Sequence, residues 1–489
     1  MYTRAVDWLK RHRFVVGLVL CLAVAAFFST YRLTESPKTW FDEGIFLQVA
    51  RNVLTSHSYV LRESPSTLVP ATLYTTVGYP VIGPVAASFA VFGIGILQAR
   101  AVMVMYILLF IIASYVFAFR VWGVRVALLS TLILATYAPL YGNGKNVLGE
   151  IPGAFFLFLI LICLARLERK SQTVWNWIGL GLATGVFVST KPNFFLLLPV
   201  LGAVLLWNYR RLTWSWKSVL AGLLAFLVPV VLYVVTQFGA SMSPATIFAS
   251  YAGMPGLQQV TGLTFGQMVI RNIVLFVTAG TPAYLLVSLG VWVSSLVIRV
   301  RRKTIIPLHE IVALGFAFVT VAYFLKMPGF FRYLLVGQLI AFPYLVAACT
   351  QLTPPRFKKS LVPFLFVCLV AFQAYQVGFS SFVAGYYPST RSQELTAYFD
   401  ALPSSTQVFL FHAPEVATFI HGENYSQYFE VVYFLDAFGK DQLPRLAAGE
   451  PDLVIVSVDE KQKADPYLDR YSLQTTLDEG RYLIYGRNI

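Results

Sequence analysis

The sequence predicts an all-α polytopic membrane domain of about eleven transmembrane helices, followed by a small C-terminal α/β domain. Composition is the first reason. Of the 489 residues 57% are hydrophobic and 12% charged, with a mean hydropathy of +0.68, whereas about a quarter of a soluble globular domain is charged. The second reason is where the charges fall. Lys and Arg come in short clusters between apolar runs, and only eight of the 23 acids lie before residue 391. The net charge of +14 therefore reads as the positive-inside pattern of a membrane protein, not as a nucleic-acid-binding face.

Apolar runs of roughly 17–25 residues can cross a bilayer. Eleven are expected, some of them short for a full crossing: 14–31, 98–119, 124–141, 150–166, 177–190, 193–207, 218–238, 271–298, 309–326, 333–351 and 361–379. Every second connection is basic, in the clusters Arg4/Lys10/Arg11/Arg13, Arg120/Arg125, Arg166/Arg169/Lys170, Arg210/Arg211/Lys217, Arg299/Arg301/Arg302/Lys303 and Arg356/Lys358/Lys359. One register satisfies all six and puts the N-terminus in the cytoplasm and the C-terminus outside a plasma or inner membrane. The first span reads as an uncleaved signal-anchor, because its long apolar run continues into an Asp-Glu segment without a cleavage site. The cysteines Cys21, Cys163, Cys349 and Cys368 all sit inside apolar runs and offer neither a disulfide framework nor metal-ligand spacing.

Within the membrane domain, residues 1–380, the outer connections carry the interest. In the first, 32–97, the segment 41–55 spaces Ile45, Val49 and Val53 on one helical face, as an interfacial amphipathic helix does. The apolar stretch 77–97 holds Pro80, Pro84 and four glycines and is expected to lie along the membrane. The 239–270 connection, rich in Gly, Ser, Thr and Pro, is expected to be a loop over the site. From 381 to 489 the composition becomes that of a soluble α/β domain, with strands at Val408–Phe411, Leu453–Ser457 and Tyr482–Tyr485 and helical stretches near 391–401 and 414–421.

In that topology the outer face collects a mixed set of ionised groups, where such groups are costly and tend to be functional. Asp42 and Glu43 follow the first span. A carboxylate there can serve as general base, or the pair can simply open the 41–55 helix, whose N-terminal dipole favours negative charge. Both readings stand on pattern alone. Lys326 and Arg332, flanking a Pro-Gly turn, suit a phosphate or diphosphate, the Arg as a bidentate fork and the Lys as a point charge; snorkelling to headgroups is the bland alternative. Lys191 and Arg271 invite the same comparison. Glu150 opens a span with Pro152 in its first turn. The five histidines are scattered, so a His or Cys metal site is not expected, and assistance by a divalent cation is left open.

Taken in order, these residues resemble the GT-C superfamily of glycosyltransferases that use polyprenyl-phosphate sugars, especially the branch of protein O-mannosyltransferases and the lipid A aminoarabinose transferase. The resemblance rests on Asp42-Glu43, Gly78-Tyr79-Pro80, Gln98-Ala99-Arg100, Glu150, Thr190-Lys191, Lys326 and Arg332-Tyr333, and it covers most of residues 1–350. It implies an inverting transfer to a lipid, protein or glycan acceptor, with Asp42 as base and Glu43 beside it. Lys326, Arg332, Arg271, Lys191 and Arg100 would then bind the donor phosphate, and Glu150, Tyr79 and Tyr333 the substrate. The lipid A enzyme's Lys-Pro-Pro is missing from the Gly-Tyr-Pro segment, and the fourth-span acid is Glu where Asp is common, so neither sugar nor acceptor carries over. The rival reading is a lipid-linked sugar flippase or transporter. Such proteins place ionisable groups at the midplane, commonly between repeated halves, and neither feature is visible here.

Overall fold

The computed structural model describes residues 2–71, 74–169, 173–212, 214–238, 262–327, 329–358, 360–381, 391–431 and 436–488. The first helix, α1 (Tyr2–Thr30), is followed by α2 (Phe41–Ser56), a hairpin of β1 (Val60–Ser64) and β2 (Thr67–Pro70), and α3 (Tyr79–Phe92). Then come α4 (Ile96–Trp122), α5 (Val124–Ala135), α6 (Ala138–Gly144), α7 (Glu150–Leu167), α8 (Val174–Thr190), α9 (Leu197–Trp207) and α10 (Trp216–Phe238). The later helices are α11 (Phe265–Thr278), α12 (Gly280–Arg301), α13 (Leu308–Lys326), α14 (Arg332–Leu352) and α15 (Leu361–Tyr375).

Among the described residues seven helices are long and apolar enough to cross a membrane, or eight if α5 and α6 form one bent span. The expected eleven are not reached by that measure, because α1, α8 and α9 offer only shorter apolar stretches. Two expected spans are interrupted. The run 124–141 bends by 56° between α5 and α6, where Pro139 opens a new helix. The run 271–298 breaks at Ala279, whose backbone is extended (φ −114°, ψ 133°), and Pro282 stands in the first turn of the helix that follows. Most of the 239–270 connection lies outside the described residues.

Two packing features position the site. α8 and α10 meet backbone to backbone: a Cβ on Gly181 would fall 2.0 Å from the Gly222 carbonyl, and one on Gly185 2.5 Å from that of Phe226. Small residues allow this close approach in a bilayer, and it fixes the C-terminal end of α8, where Lys191 follows. The second feature is the central place of α14, of whose apolar stretch 89% is buried against 17% for α10. α14 is thus a core helix and α10 a lipid-facing one, so Arg332, at the start of α14, is held by protein on most sides.

The C-terminal part forms a six-stranded mixed sheet of β3 (Val408–Phe411), β4 (Tyr425–Val431), β5 (Asp436–Phe438), β6 (Leu453–Ser457), β7 (Tyr471–Leu477) and β8 (Tyr482–Arg487), in the order β5-β4-β3-β6-β8-β7. β3 pairs parallel with β4 and β6, and the outer strands pair antiparallel. A helix at Arg391–Asp400 precedes the sheet, and a 3₁₀ turn at Pro414–Phe419 follows β3.

The sheet region sits on α2. Gly44 lets the 3₁₀ turn approach, since a Cβ there would fall 2.2 Å from the Glu415 Cα. Gln48 donates to the Pro414 carbonyl at 2.8 Å and accepts from Gln427 at 2.8 Å. Arg51 donates to the carbonyls of Ile420 and Gly422. Where periodicity predicts an interfacial helix, α2 is instead buried from Glu43 through Asn52. Its apolar face meets α3 and its polar face meets the C-terminal region. An apolar stripe reports that something apolar covers it, and lipid and protein give the same stripe.

Candidate active site

The ends of α2, α8, α13 and α14 converge beneath the sheet and enclose a cavity of about 750 Å³, counting its open mouth. Its polar lining includes Asp42, Lys191, Asn193, Arg332 and Tyr333, and Val431 reaches it from the C-terminal sheet.

α2 starts at Phe41 because Trp40 is extended (φ −100°, ψ 156°) and its N–H is accepted at 3.4 Å by the Glu43 carboxylate three residues on, the backward half of a capping box. Successive helical side chains diverge by about 100°, so Asp42 and Glu43 meet different surroundings. Glu43 points into protein. Its oxygens accept from Arg100 Nε at 3.0 Å and Nη2 at 2.8 Å, with both side chains fully buried, and from the Val147 N–H at 3.1 Å. The remaining arm of Arg100 donates to the carbonyls of Leu33 and Pro37, each at 2.8 Å. Lys145 binds the carbonyls of Tyr31 at 2.5 Å and Ser36 at 3.2 Å. Burial, and then the neighbouring Arg100, push that lysine from its ordinary value down to about 7. Together these bonds staple residues 31–43 to the bundle and set the start of α2.

Asp42 points into the cavity with its side chain 35% exposed, and accepts from Arg332 Nη1 at 2.7 Å. The Arg332 guanidinium lies 5.3 Å from the Trp40 ring centre, 5.4 Å from that of Phe330 and 5.6 Å from that of Tyr333, in the range of cation–π attraction. Its Nε is buried with no hydrogen-bond partner among the described residues.

Lys191 follows α8, and its Nζ is 2.5 Å from Glu150 Oε1. Burial pushes its pKa below the ordinary lysine range; Glu150 opposes that shift and Arg332 adds to it. The Gly78-Tyr79-Pro80 segment secures this end of α8. The Gly78 N–H donates to the Thr190 carbonyl at 3.1 Å, and a Cβ on Gly78 would fall 2.0 Å from the Ser189 carbonyl oxygen.

The structure thus brings Asp42, Lys191, Arg332 and Tyr333 to one cavity, with Glu150 behind Lys191. Glu43 and Arg100 are sealed against each other away from it. Tyr79 stands at the start of α3, outside the lining. Lys326 and Arg271 are exposed and also outside the lining; an Arg271 nitrogen lies 3.3 Å from where a Cβ on Gly329 would sit. Asn272, which the sequence reading passed over, donates to the carbonyls of Phe324, Leu325 and Met327 at 3.0, 3.2 and 2.6 Å, and so shapes the turn leading to Arg332. Asn193 and Tyr323 were also missed. Asn193 stands two residues past Lys191 at a proline-marked span junction, a polar residue where the chain turns, and that was its available signal. Nothing in the sequence marks Val431. Among the described residues no three His, Cys, Asp or Glu side chains come together as a metal-binding group.

Fold and site define a multi-pass membrane protein whose carboxylates and cations meet in a cavity between the helix ends and the C-terminal sheet. The family model of dolichyl-phosphate-mannose-protein mannosyltransferase matches residues 18–243. That stretch contains Asp42, Glu43, Arg100, Glu150 and Lys191 and ends before Arg271, Lys326 and Arg332.

The chain is similar in structure to ArnT from Cupriavidus metallidurans bound to undecaprenyl phosphate, at 16% identity and a TM-score of 0.64 over 98% of each chain. It is also similar to the apo state of that protein, at 14% identity and a TM-score of 0.57 over 99% of this chain and 98% of the other. A third likeness is to the oligosaccharyltransferase of Archaeoglobus fulgidus, at 12% identity and a TM-score of 0.57 over 86% of this chain and 65% of the other. No curated protein matches the sequence. The structural likenesses show the fold: the chain has the ArnT-like GT-C fold.

Proposed function

We propose that this protein is an integral membrane glycosyltransferase that moves a hexose or pentose from a polyprenyl-phosphate-linked donor to a lipid, protein or glycan acceptor, with inversion at the anomeric carbon. The observation that carries this reading is the meeting of Asp42, Arg332 and Lys191 in one cavity at the helix ends. The family match and the structural likenesses support it, and they do not favour the flippase alternative.

In the proposed reaction Asp42 takes the proton of the acceptor hydroxyl or amine. The acceptor attacks the anomeric carbon, and the bond to the phosphate oxygen breaks with its electron pair on the leaving polyprenyl phosphate. Arg332 and Lys191 stabilise that developing charge, with Lys326 and Arg271 at the outer rim and Tyr333 against the substrate. Arg332 has one guanidinium for two anions. A phosphate that engages it competes with Asp42, so donor binding draws the cation off the carboxylate and frees the base. Glu43 and Arg100, sealed together, hold the start of α2 and thereby aim Asp42.

The basic clusters support a cytoplasmic N-terminus and an extracytoplasmic C-terminal domain from residue 381. A cysteine at Ser404 should then react with an impermeant thiol reagent from outside and one at Thr304 should not; the reverse pattern would invert the topology.

The decisive assay supplies purified protein with polyprenyl-phosphate-linked sugars and acceptors and looks for released polyprenyl phosphate. Movement of the intact lipid across a vesicle bilayer, with no sugar released from any donor, would overturn the transferase reading.

A further inference from the structure

At the end of α7 remote from Glu150, a second cavity of about 520 Å³, counting its open mouth, lies between that helix and the end of α4. Arg120, Arg166 and Arg169 line it, over an apolar floor that includes the buried Phe117 and Ile162. The arginines belong to two basic clusters that are far apart in the sequence, and the fold gathers them. All three are exposed. Arg169 donates from Nη2 to the Arg120 carbonyl at 3.3 Å, so its guanidinium reaches from one helix end to the other.

Among the described residues no carboxylate lies at bonding distance from any of the three. Glu168, next to Arg169 in the chain, is taken by Arg211 at 3.2 Å and by the Leu308 N–H at 2.8 Å. Two ordinary reasons exist for arginine at this place. Sidedness asks only that basic residues lie on one face, and a cation in the last turn suits a helix C-terminus, a role open to Arg120 and Arg166. Neither reason brings three guanidiniums to one cavity, where they repel one another unless an anion stands between them. Neither gives that cavity an apolar floor.

The ligand's chemistry follows from the two halves of the lining. A guanidinium is a fork that holds phosphate oxygens two at a time. Inorganic phosphate would use the forks and leave a hydrated ion against Phe117 and Ile162. A phospholipid uses both halves, its phosphate on the arginines and its glycerol and first methylenes on the floor. The cavity stands where the apolar stretches of α4 and α7 end, the level of a bilayer's headgroups, and basic pockets between transmembrane helices bind anionic headgroups in this way. A zwitterionic lipid fits less well, because its own ammonium offsets the phosphate charge.

We infer that this cavity binds the headgroup of an anionic phospholipid, with the phosphate among Arg120, Arg166 and Arg169. The site is separate from the cavity of Asp42 and stands whether or not the transferase reading does.

The test titrates delipidated full-length protein in detergent with phosphatidylglycerol, phosphatidylcholine or inorganic phosphate. It reads the melting temperature, which a ligand of the folded state raises, and counts bound lipid by native mass spectrometry. Phosphatidylglycerol should raise the melting temperature saturably and remain bound, and phosphatidylcholine should do so only at higher concentration. Arg120→Gln, Arg166→Gln and Arg169→Gln should each weaken phosphatidylglycerol about fivefold, the scale of one basic residue against an anionic lipid. Arg169→Lys should recover part of its loss, since an ammonium keeps the charge without the fork. Arg302→Gln, at an exposed arginine of another basic cluster, should change little. Equal binding of the two lipids would overturn the inference, as would an Arg302→Gln loss as large as the others. Saturation by inorganic phosphate as tight as by the lipid would replace the lipid with a free anion. The wild-type comparison of the three ligands stands even if a variant fails to fold.

Discussion

Two acid–cation clusters stand one helical residue apart. Glu43, Arg100 and Lys145 form one, and Asp42, Arg332, Lys191 and Glu150 the other. Both join carboxylates to cations at bonding distance. In the first, both Glu43 oxygens and all three Arg100 nitrogens bind protein, and both side chains are fully buried. In the second, Asp42 is a third exposed and the buried atoms Glu150 Oε2 and Arg332 Nε have no partner among the described residues. Residue type does not separate scaffold from site here. Access to the cavity does: Asp42 lines it, and Glu43 is closed off.

The sharpest way to break this comparison is to remove one charge from the sealed cluster. Glu43→Gln leaves Arg100 buried and uncompensated, which should cost about 3–5 kcal/mol of stability, seen as a lower melting temperature in detergent with the folded fraction still active. A stable Glu43→Gln variant that turned over slowly would instead move the base to Glu43. Asp42→Asn should do the opposite. The change is isosteric and at a partly exposed carboxylate, so the melting temperature should fall less than in Glu43→Gln, while turnover falls by about 10²-fold or more, the scale of general-base catalysis, with donor binding kept or tightened because the phosphate has lost its rival for Arg332.

Arg332→Ala should raise KM for the donor and lower kcat together, since a phosphate contact strengthens as charge develops on the leaving group. Arg332→Lys should recover only part of both, because an ammonium cannot copy the fork. Full recovery would mean that Arg332 acts as a point charge.

The smallest effect concerns Lys145, whose pKa in the folded protein is about 7 against an ordinary 10.5. Between these values the unfolded chain holds a proton that the folded one has shed, so this lysine should make stability rise as pH rises from about 7 to 10.5. Below about 7 both states are protonated and its contribution is constant. Lys145→Met should flatten that part of the melting-temperature profile, and an unchanged slope would show that some other group produces it.

Much of the fold is legible because its signals are local. Runs such as 98–119 and 333–351 appear as α4 and α14 with ends shifted by one to three residues, since twenty apolar positions in a row leave the backbone little besides a helix in lipid. Val408–Phe411 and Leu453–Ser457 appear as β3 and β6 with the expected ends. The interrupted spans show where composition misleads. Pro139 and Pro282 were in plain view, but a hydropathy window averages over them. The β1–β2 hairpin carried too little periodicity to stand out, and it is held from outside, through the Gln427 side chain on the Arg62 carbonyl.

The sequence by itself determined that this chain lives in a membrane, that its late residues form a sheet region, and that four of its eight acids in the first 390 residues, Asp42, Glu43, Glu150 and Glu310, stand at helix starts. Those properties follow from composition, period and sidedness, which neighbouring residues settle among themselves. Only the tertiary structure decided which acid faces which cation. Asp42 meets Arg332 across 290 positions, Glu43 meets Arg100 across 57, and Lys191 meets Glu150 across 41. Such pairings depend on how helices rotate and how closely they approach, at contacts like those of Gly44, Gly78 and Gly181. Helix period gives the direction of a side chain from its own axis but not what stands opposite it.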